Sequence, residues 1–320
     1  MPLKEKQLIE RIRRSAESKR LGHGIGDDCA VLRLPAGEEA LVTTDFSLEG
    51  VHFRREWHPP HSVGHRCLAR GLSDIAAMGG TPRAAFLSLA LPPELPQRWV
   101  DQFIAGLLKL AKRHSVTLAG GDTAQSPGGV LADIVVLGSA PAGQAILRSG
   151  ARPGDLIYVT GTLGAATASL NQLRQGKKLR PRSHPQHFYP EPRVAVGRLL
   201  RERKLASAMI DISDGLSTDL SRICEESNTG AVVYASALPI AEGIGDDGLQ
   251  LALHGGDEYE LLFTARPGRR IPTQIGGVPI TRIGEIVRGK QMKLVMPDGK
   301  SATLKPGGWE HFGEYHTPCW

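Results

Sequence analysis

The chain has 320 residues, of which 41% are hydrophobic and 22% charged, as in globular proteins long enough for two domains. Its net charge of +6 comes from scattered basic groups without interleaved aromatic residues, so we expect no nucleic-acid platform. No apolar run approaches the roughly 20 residues of a membrane helix, and the charged N-terminal segment lacks the apolar middle of a secretory signal, so we expect a cytoplasmic protein. The four cysteines form no CxxC pair, which predicts neither a zinc site nor disulfides.

Hydrophobic periodicity in the first half predicts a mixture of strands and helices. In chain order these are a strand at 39–45, a helix at 63–78, a strand at 83–91, a helix at 94–113, and strands at 116–121 and 130–139. A stretch that contains Pro and Gly follows, and it predicts a boundary near residue 148 between domains at 1–148 and 149–320.

The second half is predicted to continue with several strands beside single helices. The strands are at 155–161, 207–213, 231–235, 258–264 and 281–287, and the helices are at 163–175, at 193–204 and from 215. This irregular alternation favours an α+β fold over a doubly wound parallel sheet.

Nine acidic residues lie in short motifs in which an apolar segment ends at a carboxylate beside Gly, Ser or Thr. They are Asp27, Asp28, Asp45, Asp74, Asp122, Asp211, Asp214, Asp257 and Glu258. A single Asp in such a setting is usually a turn former or a helix cap. Two carboxylates about 4 Å apart, however, repel by roughly 4 kcal/mol at an effective dielectric constant of about 20. A cluster would therefore require cations, and oxygen ligands favour magnesium or manganese.

The sequence lacks the glycine-rich P-loop, and the glycines at 22–26 do not follow a strand, so phosphate groups are expected to be held mainly through metals. Ser213 is predicted to cap the helix that follows Asp211, where exposed N–H groups would favour phosphate. Gly120 and Gly121 would let a nucleotide approach the backbone. His52, seven residues after Asp45, is a candidate substrate-facing residue.

Seven segments together resemble the thiamine-monophosphate kinase family, from about residue 20 to the C-terminus. In order they are GIGDDCAVL, VTTDFSLEGVHF, LARGLSDIAAMGGTPRAAFLSLALP, LAGGDT, LRSGARPGDLIYVTGTLG, IDISDGLSTDL and GGDEYELLFT. The resemblance implies ATP-dependent phosphorylation of thiamine monophosphate to thiamine diphosphate, the last step of its biosynthesis, by direct in-line transfer with several magnesium ions. It also implies the two-domain aminoimidazole ribonucleotide synthetase-like α+β fold. The N-terminal sheets would pair into a barrel across a homodimer, and a C-terminal α+β domain would close the active-site cleft.

The same resemblance implies roles for individual residues. The metal ligands would be Asp28, Thr43, Thr44, Asp45, Asp74, Asp122, Asp211 and Asp214. Among these, the catalytic residues would be Asp45, Asp74, Asp122 and Asp211. ATP would contact Gly121, Asp122, Arg148 and Ser213, and thiamine monophosphate would contact His52, Asp257 and Trp309. The family usually reads GGEDYEL, whereas this chain has Asp257 followed by Glu258, so the carboxylate at the substrate position is one methylene shorter.

Three alternative interpretations of the motifs stay open. The five residues GGDEY at 255–259 match the signature of diguanylate cyclases, although nothing before them resembles that domain. The scaffold could also belong to a non-catalytic nucleotide- and metal-binding protein, or to a related enzyme that activates another small acceptor with ATP.

Overall fold

The computed structural model describes residues 5–16, 29, 30 and 32–310. They form two compact units. The first comprises the described residues up to Ile75 together with Gly80–Gly143, and the second comprises Ala76–Gly79 and the described residues from Gln144 onward.

The first unit is built on a four-stranded sheet in the order β1-β4-β2-β3, which leaves β1 and β3 at the edges. Strands β2 and β3 are parallel, and the other pairs are antiparallel. The helices and strands are α1 (Glu5–Ala16), β1 (Glu38–Leu48), α2 (Pro60–Ala77), β2 (Thr81–Leu91), α3 (Gln97–Arg113), β3 (Thr117–Gln125) and β4 (Leu131–Pro141).

The core of the first unit forms where α2 and α3 pack closely together. Gly64 of α2 makes this approach possible, because a Cβ there would lie 1.9 Å from the carbonyl oxygen of Phe103. Leu68 and Leu72 of α2 are fully buried, as are Phe103 and Leu107 of α3. The apolar faces of the two helices therefore account for much of the burial that stabilises this unit.

The face of β1 that points away from α2 exposes two large apolar side chains. Side chains alternate along a strand, so Val42, Thr44 and Phe46 share a face. Val42 is 63% exposed and Phe46 is 55% exposed, whereas Leu41 and Ser47 on the other face are buried. An uncovered apolar strand at a sheet edge is a feature of interaction surfaces.

The second unit contains an eight-stranded sheet. Across the sheet the strands lie in the order β12-β11-β7-β10-β5-β8-β6, and β9 pairs with β10. Its pairs are antiparallel except for β7 with β11. The elements are β5 (Leu156–Thr160), α4 (Ala165–Arg174), α5 (Pro185–Phe188), α6 (Val194–Glu202), β6 (Ala208–Asp211), α7 (Leu216–Ser227), β7 (Gly230–Tyr234), α8 (Gly248–His254), β8 (Leu261–Ala265), β9 (Gln274–Ile275), β10 (Val278–Val287), β11 (Met292–Val295) and β12 (Ser301–Thr303).

The α+β prediction is confirmed, and each predicted strand and helix has a counterpart in the structure. Periodicity missed α1, α5, α8, β9, β11 and β12, since the last five are at most seven residues long and offer few repeats of a pattern. Across the ranges that the structure covers, none of the helices has the length and apolarity that crossing a membrane requires. Cys67 and Cys224 are buried and Cys29 is exposed, all three as free thiols; Cys319 lies outside the described residues.

Candidate active site

Two carboxylates, those of Asp45 and Asp74, form the centre of the site in the first unit. Thr43 and Asp45 lie on the face of β1 that α2 covers, and the Thr43 hydroxyl donates a hydrogen bond to Asp74 Oδ2. Gly71 of α2 lies against the sheet, where a Cβ would be 2.6 Å from Val136 Cγ2, 3.2 Å from Val136 Cβ and 3.6 Å from Thr43 Cγ2. The missing side chain at Gly71 thus allows α2 to bring Asp74 to Thr43.

The environment of Asp45 favours either a proton or a cation. Burial raises the pKa of Asp45 to about 7, the charge of Asp74 adds to this, and Arg70 opposes it. Asp45 Oδ2 is buried and accepts no hydrogen bond from any residue that the structure describes. Buried polar atoms are rarely left in this state, so Oδ2 fits a cation ligand. Asp45 lies inside β1 and not at its end as the motif suggested, because the strand continues to Leu48.

Thr44 and Asp122 do not share the face of Asp45. The Thr44 hydroxyl donates to Asp133 Oδ1 at 2.7 Å. Asp133 of β4 is in register with Ser88 of β2, and Ser88 is in register with Asp122 of β3. Residues in register point to the same side of a sheet, so Thr44, Asp133 and Asp122 form a polar row on the side opposite Asp45.

Gly121 precedes Asp122 in a backbone conformation that requires glycine. Its φ is +150°, and a Cβ would lie 1.9 Å from the carbonyl oxygen of Leu87 on the neighbouring strand. Asp122 itself is exposed, and its Oδ1 accepts a hydrogen bond of 2.8 Å from the Thr123 N–H. The carboxylate is therefore accessible at the sheet edge, where a nucleotide could reach it.

The ring of His52 is oriented by the end of β1. The Leu48 N–H donates to His52 Nδ1 at 3.0 Å, and the His52 N–H donates to the Leu48 carbonyl at 2.8 Å. Because Nδ1 acts as an acceptor, the neutral ring carries its proton on Nε2.

In the second unit the predicted residues meet at the loop between β6 and α7. Asp211 ends β6 and is only 4% exposed, and Ser213 and Asp214 follow it. The prediction that Ser213 caps α7 is wrong. The N-cap residue is Gly215, with φ +116°, and it has no side chain that could donate or accept a capping hydrogen bond. The N–H groups of Ser213, Asp214 and Gly215 instead donate to one oxygen, Asp219 Oδ2, each at 3.1 Å.

Asp219 is an internal carboxylate that the motif analysis did not select. Its side chain is fully buried, and Arg222 donates to its Oδ1 at 2.8 Å and to Asp214 Oδ2 at 2.5 Å. Burial and the charge of Asp214 raise the pKa of Asp219 to about 7, while Arg222 and the backbone N–H groups oppose the shift. These three N–H groups are therefore already occupied and cannot also hold a phosphate.

The two thiamine-facing candidates of this unit are attached to the same loop. The Asp257 N–H donates to the Ser213 carbonyl at 2.8 Å, and the Trp309 N–H donates to the Asp214 carbonyl at 2.9 Å. The Tyr259 hydroxyl donates to Asp257 Oδ1 at 2.5 Å. Asp257 and Tyr259 have φ values of +61° and +54°, which non-glycine residues adopt at some cost and often near functional sites. The structure thus brings Asp211, Ser213, Asp214, Asp257 and Trp309 together.

The two glutamates after Asp257 have structural partners. Glu258 Oε1 accepts the Gly164 N–H at 2.8 Å, just before α4, and burial raises the pKa of Glu258 to about 8. Glu260 receives two hydrogen bonds from Arg193, one of them 2.7 Å from Nε, and one of 2.5 Å from the Thr160 hydroxyl. These buried contacts fix the backbone on both sides of Tyr259.

Two predicted residues are not tied to these clusters. Arg148 is exposed, so its guanidinium is accessible to an anion. Asp28 lies outside the described residues. Within the described ranges, no group of three or more His, Cys, Asp or Glu side chains is arranged to hold a metal ion. An ion held by these described residues would therefore need further oxygen ligands besides their carboxylates.

Sequence reasoning missed Asp133, Asp219 and Arg222. Asp219 is part of the segment IDISDGLSTDL, and an acidic residue in the first turn of a helix is a signal for contact with the preceding N–H groups. Asp133 interrupts an apolar strand and could have been selected for that reason. Arg222 offers no such local signal.

Comparison with protein-family models assigns both halves of the chain. Residues 26–140 match the model of "AIR synthase related protein, N-terminal domain", and residues 152–296 match its C-terminal domain. The curated thiamine-monophosphate kinase of Salmonella typhimurium is 38% identical, covering 96% of this chain and 98% of that protein. The enzyme of the same name from Bacillus subtilis is 34% identical, covering 90% and 93%.

Solved structures of similar fold include an enzyme of the same name as these relatives. A crystal structure of thiamine-monophosphate kinase from Stenotrophomonas maltophilia K279a has a TM-score of 0.82 and 38% identity, covering 94% of this chain and 99% of that one. A structure of AaThiL complexed with AMPPCP and TMP has a TM-score of 0.78 and 31% identity, covering 98% and 99%. Hydrogenase maturation protein HypE in complex with ATP shares the fold, with a TM-score of 0.79 at 20% identity and coverage of 96% and 95%.

Proposed function

This chain belongs to the thiamine-monophosphate kinases of the AIR synthase related family, and we propose that its carboxylates hold the magnesium ions of their ATP-dependent reaction. The enzyme transfers a phosphoryl group from ATP to thiamine monophosphate and so makes thiamine diphosphate. We assign nucleotide, metal and dimer contacts to residues 1–148 and further substrate and metal contacts to residues 149–320. Since ATP is a cytoplasmic metabolite, we place the enzyme in the cytoplasm.

The Asp45–Asp74 pair carries the metal proposal. Magnesium in phosphate-transfer sites is commonly held by one or two carboxylates, waters and substrate phosphates, so a pair suffices where a closed cage would not form. The buried Asp45 Oδ2 offers a ligand atom to which no described residue donates a hydrogen bond, and Thr43 orients Asp74. When bound, magnesium would neutralise charge on the transferred group, as direct in-line transfer requires. Asp28, Thr44, Asp122, Asp211 and Asp214 are the further proposed ligands.

The remaining residues bind and orient the two substrates. Exposed Arg148 presents a fixed fork of donors to phosphate oxygens of ATP, and Gly121, Asp122 and Ser213 contact the nucleotide. Trp309 would stack its indole on the cationic ring of thiamine monophosphate. Asp257 would accept a hydrogen bond from the substrate, and His52 would donate one from Nε2.

The function is tested by ADP release at fixed magnesium. Because the acceptor is specific, we expect ADP to form with ATP plus thiamine monophosphate and to fall to background without the acceptor. GTP alone should not be turned over, whereas a cyclase would consume it. ADP formation with unphosphorylated thiamine, and none with thiamine monophosphate, would instead indicate another acceptor. Absence of turnover together with tight ATP binding would identify a non-catalytic binding protein.

We also propose a homodimer that covers the apolar face of β1. Val42 and Phe46 would be buried by the second copy, and the sheets of two copies would pair into a barrel. Phe46→Glu would place a charge in that interface, so we expect light scattering to show a monomer at concentrations where the wild type is a dimer. Leu147→Glu is the matched control, because Leu147 is similarly exposed, at 53%, in the other unit. Equal masses for the two variants would contradict the assignment of the interface.

A further inference from the structure

The loop Ser213–Gly215 uses both sides of its peptide groups. On one side, three consecutive N–H groups converge on Asp219 Oδ2 at 3.1 Å. Successive N–H groups that point to one place form a concavity that suits an anion. Here the anion is a side chain of the same unit, and it is fully buried.

The other side of the same peptide groups holds the thiamine-facing residues. The Ser213 carbonyl and the Asp214 N–H belong to one planar peptide unit, which accepts from the Asp257 N–H at 2.8 Å and donates to Asp219. The next unit, of the Asp214 carbonyl and the Gly215 N–H, accepts from the Trp309 N–H at 2.9 Å and donates to Asp219. A rotation of either plane would therefore break contacts on both sides.

Arg222 extends the same network to a proposed metal ligand. Its guanidinium bonds Asp219 Oδ1 and Asp214 Oδ2, so the Asp214 side chain is oriented with the loop. We propose that Asp219 is a positioning residue that fixes the planes of this loop and so places Asp214, Asp257 and Trp309 together. This inference rests on the proposed function, in which Asp214 faces the metal and the other two face thiamine monophosphate.

The test is Asp219→Asn, with Asp155→Asn as its matched control. Asp155 is also buried, accepts a backbone N–H from Arg152 at 3.0 Å, and pairs with Arg266 at 3.2 Å, and neither partner belongs to the loop. An amide at 219 keeps the shape and loses the charge that attracts three N–H groups and Arg222. Both variants should lose stability, whereas only Asp219→Asn should lose kcat by about 10- to 100-fold, the usual effect of disturbing the support of a ligand set.

Two measurements that need no turnover complete the test. Hydrogen exchange at the amides of Ser213, Asp214 and Gly215 should accelerate in Asp219→Asn, and calorimetric titration should show weaker binding of thiamine monophosphate. If Asp219→Asn matches Asp155→Asn in kcat, exchange and affinity, the inference is overturned.

If Asp219→Asn does not fold, Arg222→Met tests the same network, because it removes one support of the loop and should weaken binding of thiamine monophosphate about 10-fold. Wild-type loop exchange and affinity in that variant overturn the inference as well. A wild-type enzyme without activity on thiamine monophosphate would instead refute the proposed function.

Discussion

Replacing Asp45 with Asn is expected to lower kcat by about 100- to 1,000-fold while the chain stays folded, the range seen when one group that stabilises transition-state charge is removed. The amide keeps the shape of the side chain but loses its charge and one ligand oxygen, and Oδ2 is the buried oxygen that accepts no bond within the described residues. Steady-state assays at saturating magnesium and substrates measure the loss. Turnover within a few-fold of wild type would show that Asp45 is not a metal ligand in the reaction.

The same variant separates the metal role from a purely structural one. Bound ions stabilise a folded protein by mass action, so magnesium with ATP should raise the melting temperature of the wild type. The rise should be smaller in Asp45→Asn. A shift of equal size in both proteins would locate the stabilising ion elsewhere.

The raised pKa of Asp45 also predicts a pH dependence without metal. The folded protein binds this proton more tightly than the unfolded chain, with a pKa of about 7 against 3.8. The contribution of this group to the free energy of unfolding should therefore fall as the pH rises from about 4 to about 7, and it should level off above that. The fall is at most about 1.4 kcal/mol for each unit by which the two pKa values differ. Denaturation curves in EDTA should show a smaller fall in Asp45→Asn, and only the difference from wild type is diagnostic, because Asp219 and Glu258 titrate in overlapping ranges.

Arg193→Met is expected to lower the free energy of unfolding by about 3–5 kcal/mol, because it leaves the carboxylate of Glu260 buried without its cation. Glu260 is 7% exposed at its side chain, and both of its oxygens accept hydrogen bonds from Arg193. Urea denaturation followed by circular dichroism measures the change. A loss below about 1 kcal/mol would place this pair with ordinary surface ion pairs.

Two controls define the origin of that loss. Arg198→Met, in the helix α6 that begins directly after Arg193, removes an exposed i,i+4 partner of Glu202, and it should cost at most about 0.5 kcal/mol. The double variant Arg193→Met with Glu260→Met removes both charges, so it should recover much of the stability. If the double variant is as unstable as Arg193→Met, packing of the arginine stem and not the unpaired charge would explain the loss.

Much of the fold could be predicted because long elements display their period. The helix at 97–113 and the strand at 131–141 each contain several repeats of a buried position, and both were predicted within three residues of their bounds. Helix α8 and strands β11 and β12 could not be found this way, since they depend on neighbours supplied by the tertiary fold. The alternation of side chains along a strand places Thr44 and Asp45 on opposite faces, but the register that aligns Asp133 of β4 with Asp122 of β3 was beyond the pattern.

The sequence predicted which residues of the second unit come together, but it predicted their individual contacts less well. Asp211, Asp214, Asp257 and Trp309 come together in the structure, but the hydrogen bonds that join them run through backbone groups, which a sequence motif does not display. Ser213 has the chemistry of a cap, yet Asp219 reaches the N–H groups from within the helix. Local capping preference was overridden by a buried charge and by Arg222, whose position only the fold determines.

The contact of Gly71 with the sheet has a consequence for interpreting variants of this enzyme. Any larger residue at 71 would wedge α2 outward from Val136 and lengthen the gap between Asp74 and Thr43. Such a substitution would mimic the loss of the proposed ligand oxygen of Asp74 although position 71 carries no polar group. A substitution at Gly71 is therefore expected to weaken cation binding for steric reasons alone, because it shifts the carboxylate of Asp74, three residues later.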